Sequence, residues 1–217
     1  MSDISHIRAS VEQDVFDYQI LMDTLREYRK PRDRIHRLVA DGEIVRVKKG
    51  LYVFATPFRR QPIVREQLAN LIYGPSYVSL DSALSFHGLI PERVEAVTSV
   101  TTGRSRAFDT PFGFFSYQSL SPTRYALGAL LQTSGTVPFL IAAPEKALAD
   151  KVWMDKRFAG NRVAGFGAYL RDDLRIDGDV LSRLDFDRLE EIEKTYASSK
   201  INTLFRYLAK MKGATHA

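Results

Sequence analysis

The sequence predicts an α+β protein in two unequal units. A small N-terminal unit joins a basic helix to a basic hairpin. A larger C-terminal α+β domain follows, with a small, mainly antiparallel sheet and C-terminal helices. Three observations predict this. Apolar residues recur at helical spacing in 11–27, 31–41 and 184–211. β-Branched and aromatic residues gather with turn glycines at 43–54 and again at 94–117. Between them, "ATPFRRQP" (55–62) holds two prolines, two arginines and no periodicity, the signature of a linker. The expected domains are therefore 1–58 and 59–217.

The elements are taken in chain order. In 11–27, Val15, Tyr18, Leu21, Met22 and Leu25 predict one helix. Pro31 breaks it and suits the first turn of the next. In 31–41, Ile35, Leu38 and Val39 form an apolar stripe, and at roughly 100° per residue Asp33, His36, Arg37 and Ala40 fall opposite. Gly42 is a natural stop. "EIVRVKKGLYVF" then reads as two strands around a Lys48-Lys49-Gly50 turn. Beyond the linker, 63–73 predicts a helix, and "SLDSALSFHG" a second with Ser79 as its N-cap and Gly88 as its stop. "VPFLIAA" (137–143) reads as a buried strand, and "PEKALADKVWMDKR" as a helix opened by Pro144 and Glu145. Glycines 160, 165 and 167 mark a loop. The tail is two helices or one interrupted helix, with stripes at Leu189, Ile192, Tyr196 and at Ile201, Leu204, Phe205, Leu208, Met211.

Composition narrows the function. The 217 residues are 45% hydrophobic, enough for a core without staples. The absence of cysteine excludes disulfides, Cys-based metal sites and a Cys nucleophile. The first residues lack the apolar core of a signal peptide, and no run of about 18 apolar residues exists, so a soluble, cytoplasmic protein without a membrane partner is expected. Residues 25–60 hold eleven Lys/Arg against four acids. That local excess of seven surpasses the +5 of the whole chain. The basic character belongs to one segment, which points to an anionic partner.

A helix that enters the major groove needs polar and basic residues outward and an apolar stripe inward. Asp33, His36 and Arg37 occupy the outward positions, with Arg32 and Arg34 beside them for phosphates. Arg46 on the hairpin stem and Lys48 and Lys49 at its tip complete a basic wing. This is the layout of a winged helix-turn-helix, and these eight residues are the expected DNA contacts. The competing reading is an amphipathic helix and hairpin with merely solvated charges. Arg104 and Arg106 in "TTGRSRAF" leave a second DNA contact open, with a solvated loop as the favoured reading.

No catalytic constellation is apparent. A restriction-type nuclease needs an acid and a lysine two apart on a strand after an aspartate, whereas Glu145 and Lys146 are adjacent at a helix start. Gly165-Phe166-Gly167 lacks the rest of a dinucleotide loop, and Ser79, Ser82 and Ser85 lack a nucleophile-elbow context. His6, His36, His87 and His216 are scattered, and His87 suits a capping or core role. The expectation is a non-enzyme without cofactor or metal.

Four stretches, in order, carry a resemblance. They are "DYQILMDTLREYRKPRDRIHRLVADGEIVRVKKGLYVF", "ANLIYGPSYVSLDSALSFHGLIPERVEAVTSVTTGRSRAFDTPFGFFSY", "LIAAPEKALADKVW" and "KTYASSKINTLFRYL". They span most of residues 17–208, and together they resemble the AbiEi antitoxins, the antitoxin and repressor components of type IV toxin–antitoxin (abortive infection) systems of phage defence. The resemblance implies an N-terminal winged helix that binds inverted repeats in double-stranded DNA of its own promoter. It also implies a C-terminal antitoxin domain that counteracts a nucleotidyltransferase-like toxin and need not form a stable complex with it. Residues 1–14 lie outside the resemblance. Two rivals stand: a protein-interaction module that binds a partner enzyme without DNA, and, far less favoured, a metal-dependent nuclease.

Overall fold

The computed structural model describes residues 3–215 and has a mixed α+β fold of eleven α-helices with one three-stranded and one six-stranded sheet. The N-terminal unit runs α1 (Asp3–Ser10), β1 (Val15–Asp17), α2 (Tyr18–Thr24), α3 (Pro31–Ala40), β2 (Ile44–Lys48) and β3 (Leu51–Phe54). Its strands form an antiparallel sheet in the order β1-β3-β2. The single helix expected over 11–27 is thus a correction. Val15 and Phe16 pair with Val53 and Tyr52, and Asp17 ends the strand by accepting a hydrogen bond from Ile20 N–H (2.9 Å), which starts α2. That cap satisfies a donor the first turn leaves unpaired.

The small sheet has two buried faces because side chains alternate along a strand. Phe16, Ile44, Tyr52 and Phe54 pack against Ile4, Ile7, Leu21, Leu25, Ile35 and Leu38 of the three helices. Val15, Val47, Leu51 and Val53 turn the other way and join Leu68, Ala69 and Ile72 of α4 (Arg65–Ile72) in the larger core. Segment 55–62, expected as a linker, is anchored. The buried Asp14 carboxylate accepts from the Arg60 and Gln61 N–H groups (both 3.0 Å to Oδ2) and pairs with Arg8. A short 3₁₀ turn, Thr56–Phe58, precedes it.

The larger unit continues with β4 (Ser76–Val78), α5 (Leu80–Phe86), β5 (Val97–Thr101), β6 (Arg106–Thr110), β7 (Gly113–Ser119), α6 (Pro122–Tyr125), β8 (Ala129–Ser134) and β9 (Val137–Ala142). Then come α7 (Pro144–Met154), α8 (Val163–Ala168), a π-turn over Tyr169–Asp173, α9 (Gly178–Ser182), α10 (Phe186–Tyr196) and α11 (Ser199–Thr215). The sheet order is β6-β7-β5-β4-β9-β8, with parallel pairing at β5–β7 and β4–β9 and antiparallel pairing elsewhere. It is wider and more mixed than expected, because β4 and β8 join the predicted strands. β4 has only three residues, and Asn70 supplements it by bonding the Leu140 N–H and carbonyl with its side-chain amide (2.7 and 3.2 Å). In β9, expected to be wholly buried, Pro138 and Leu140 are exposed.

Gly165 and Gly167 lie within α8 rather than in a loop. The tail resolves into two helices, broken where Ala197 takes a left-handed conformation (φ 46°). Ser79 occupies the N-cap position of α5 without capping it, and its hydroxyl instead donates to Asp150 (2.7 Å). Among the described residues no helix is long and apolar enough to cross a membrane.

Candidate nucleic-acid interface

α3 is held by its apolar stripe. Ile35 and Leu38 are buried against the small sheet and Val39 is half-buried, each full burial worth about 1.5–3 kcal/mol. Pro31 occupies the first turn. At the far end, Glu43 N–H donates to Leu38 O (2.9 Å) and Gly42 N–H to Val39 O (3.2 Å), with Gly42 at φ +69°. This Schellman closure needs a left-handed residue, which glycine supplies without a Cβ penalty. Orientation of the helix is thereby fixed at both ends. Arg32, Asp33, His36 and Arg37 are exposed along its outer side, as the helical wheel predicts.

The hairpin splits the wing residues. Arg46 is exposed and shares a sheet face with Ile44, the side on which α3 lies. Lys49 is exposed at the tip, beside Gly50 at φ +86°. Lys48 is a correction. The strand bulges between Arg46 and Lys48, so Lys48 lies opposite Leu51 rather than continuing the phase of Arg46. A one-residue bulge moves a side chain to the other face of the sheet. Its ammonium donates to the Ile72 carbonyl at the end of α4, and partial burial lowers its pKa. Lys48 ties the two units together and does not project from the tip.

Arg34 is half-buried with its guanidinium over the Tyr28 ring, 4.9 Å from the centroid. Arg59 and Arg60 are likewise engaged, Arg59 Nε with Phe54 O (2.6 Å) and Arg60 Nη1 with Glu12 O (2.8 Å). Part of the basic excess in 25–60 is therefore structural. Arg60 is exposed all the same, and the other exposed basic residues are Arg26, Arg29 and Lys30 before α3, Arg32 and Arg37 on it, and Arg46 and Lys49 on the hairpin. Arg29 and Lys30 were not singled out in the sequence. Only their position next to Pro31, on the approach to an outward-facing helix, could have marked them. Asp33 is exposed, and the Lys30 ammonium lies 3.9 Å from its carboxylate.

The residues weighed for catalysis have packing partners. Glu145 is buried, accepts from Asp185 N–H (2.8 Å) at the start of α10, and pairs with Arg188 (3.1 Å). Lys146 is fully buried, bonded to the Asp150 carboxylate and to the Tyr196 hydroxyl (2.7 Å). Burial pushes the Lys146 ammonium down, opposed by Asp150, and pushes the Tyr196 phenol well up. His87 Nε2 meets Ala142 O (2.8 Å), a positional contact, and His216 lies outside the described residues. Arg104 and Arg106 are exposed, with Arg106 5.5 Å from the Tyr73 ring centroid. A cleft of about 920 Å³ lies elsewhere, between Asp81, Lys151, Asp155, Phe158 and Tyr169. Its Lys151 and Arg157 pair with Asp81 and Asp155. Among the described residues no three His, Asp or Glu side chains converge as a metal site requires.

Compared with protein-family models and with curated proteins, the chain matches none.

Proposed function

We propose that this chain is a sequence-specific DNA-binding repressor whose N-terminal unit acts as a winged helix. One observation carries the reading. α3 turns Arg32, Asp33, His36 and Arg37 to solvent on the same side of the small sheet as Arg46, with Lys49 at the hairpin tip. The order helix–strand–helix–helix–strand–strand, with β3 between β1 and β2, supports the winged-helix reading, in which α1 serves as a third helix. In this reading Arg37 reads guanine, Asp33 and His36 contact neighbouring base edges, and Arg32, Arg46 and Lys49 hold phosphates. Arg34 steadies the approach through Tyr28. Lys48 has no part in it.

The resemblance to AbiEi antitoxins extends the proposal. The chain then represses its own promoter at inverted repeats and counteracts a nucleotidyltransferase-like toxin. Two of the resembling stretches, "APEKALAD" and "KTYASS", meet through Lys146, Asp150 and Tyr196. That buried meeting explains why those residues define a fold. It assigns them no antitoxic chemistry.

Binding to DNA from immediately upstream of its own gene, against shuffled DNA at about 150 mM salt, tests the repressor half. At least a thousandfold preference is expected for a specific binder. Equal affinity for both sequences refutes it. Co-expression with the neighbouring gene product tests the antitoxin half. Growth rescue without DNA binding would separate the antitoxin half from the repressor half, and co-purification of the two products would then decide whether they act by direct contact.

A further inference from the structure

The six-stranded sheet ends in two unlike edges. β6 carries Arg106 and Asp109, charges that oppose pairing with a further strand. β8 reads ALLQTS and carries none. Between residues 110 and 144 the only charged residue is Arg124, and its guanidinium is held by the Tyr196 carbonyl (2.7 and 3.1 Å). Leu131, in the middle of β8, is 70% exposed and faces Leu140, itself 40% exposed, across the β8–β9 hairpin.

The backbone of β8 has a definite phase. Ala143 N–H donates to Gly128 O (2.8 Å), and the register continues Ala129↔Ala142, Leu130↔Ile141, Leu131↔Leu140. In an antiparallel ladder hydrogen-bonded and non-bonded pairs alternate. Leu130, Gln132 and Ser134 therefore exchange bonds with β9. Ala129, Leu131 and Thr133 direct their N–H and C=O groups away from it. Leu140 agrees from the other side of the hairpin, since its N–H and carbonyl point away from β8 to Asn70. Among the described residues nothing bonds the outward groups of Ala129, Leu131 or Thr133.

This outward set is symmetric about Leu131. A two-fold axis there sets Leu131 opposite the partner's Leu131, and Ala129 opposite the partner's Thr133. Every outward donor then meets an outward acceptor, six backbone bonds in all. The exposed leucines pack across the axis, and no charge is brought against its own copy. A second copy of this chain satisfies the edge as it stands, and the pairing is closed. We propose that β8 is a homodimerisation edge, through which two copies pair antiparallel about Leu131 into a continuous twelve-stranded sheet.

Sedimentation velocity of the full chain without DNA, across about 1–200 μM, should show a concentration-dependent dimer, as a small interface requires. Leu131→Lys sets like charges face to face at the axis and should weaken the dimer at least about tenfold. Thr133→Pro removes an outward donor while sparing the bonds to β9, and should do the same. Because the chain has no cysteine, Leu131→Cys should cross-link on oxidation, while Ala107→Cys on the β6 edge should not. That readout uses a protein whose β8 is otherwise intact. A wild type that stays monomeric, a dimer indifferent to both variants, or equal cross-linking at the two edges overturns the proposal. So does a monomer that takes up a different protein only while Leu131 is present.

Discussion

Lys48 and Lys49 are neighbours in sequence with opposite tasks. Lys49 stands exposed at the hairpin tip, whereas Lys48 donates to Ile72 O behind the sheet. In the repressor reading, Lys49→Ala lowers the slope of log affinity against log salt by about one phosphate contact. Lys48→Ala should leave that slope unchanged and cost about 1 kcal/mol of stability through its lost hydrogen bond. Salt titrations of both variants, with denaturant melts beside them, separate the two. Arg37→Ala should cost about 1–3 kcal/mol on the preferred site and relax its sequence preference, read by competition with single-base variants of the site. The buried Lys146–Asp150 pair obeys a different rule. Removing one partner strands a charge in a dry core, so Lys146→Met should destabilise by about 3–5 kcal/mol. Lys146→Met combined with Asp150→Asn should recover much of that loss, because the neutral amide still accepts from the Ser79 hydroxyl. Urea unfolding of the two variants checks it, and a double variant worse than the single one refutes this account.

Among elements, α3 is the one most fully written in the sequence. Its stripe, its Pro31 start and its Gly42 stop depend only on residues within one or two turns, so local spacing sufficed to place its outer face. Gly42→Ala should cost about 1 kcal/mol, because alanine at φ +69° pays a left-handed penalty. A loss of melting temperature with secondary structure unchanged is the expected readout. Elsewhere the informative contacts lie far along the chain. Val15 to Asp17 share helical spacing with residues 18–25, yet Val53 and Tyr52, almost forty residues away, draw them into a strand. The bulge that turns Lys48 inward is a register property of β2 against β3, and one strand's alternation cannot reveal it. Ser79 looks like a cap by its neighbours, but its partner Asp150 lies 71 residues on. β8 lacks the β-branched content that marks a strand and exists through its hairpin with β9. The helix face of the candidate site was therefore legible, and the hairpin only in part.

At the scale of the molecule the two units share one core. Val15, Val47, Leu51 and Val53 of the small sheet belong to the larger core, and Asp14 fastens 60–61 to the smaller unit. Unfolding should therefore be one cooperative transition, with no separate melting of the N-terminal unit. The same compactness makes the fold sensitive to alkali. Tyr77 and Tyr196 are fully buried, and burial, with Asp150 near both, raises their phenol pKa values above the ordinary 10. Lys146 works the other way. Its lowered pKa means that the folded chain gives up the ammonium proton first, so its unfavourable contribution fades as pH climbs toward 10.5. Past pH 10 the tyrosines prevail. The unfolded chain releases their protons while the folded chain keeps them, so stability falls by up to about 1.4 kcal/mol per pH unit for each buried phenol. The expected outcome is a melting temperature that drops steeply above pH 10. Tyrosinate absorbance near 295 nm should rise in two stages, exposed phenols first and the buried ones together with loss of fold. Tyr77→Phe should blunt the drop without moving the neutral-pH melt by much, since among the described residues the buried Tyr77 hydroxyl has no hydrogen-bond partner. If all phenols titrate smoothly near pH 10 while the protein stays folded, the core around Tyr77, Lys146, Asp150 and Tyr196 is open to water and this account fails.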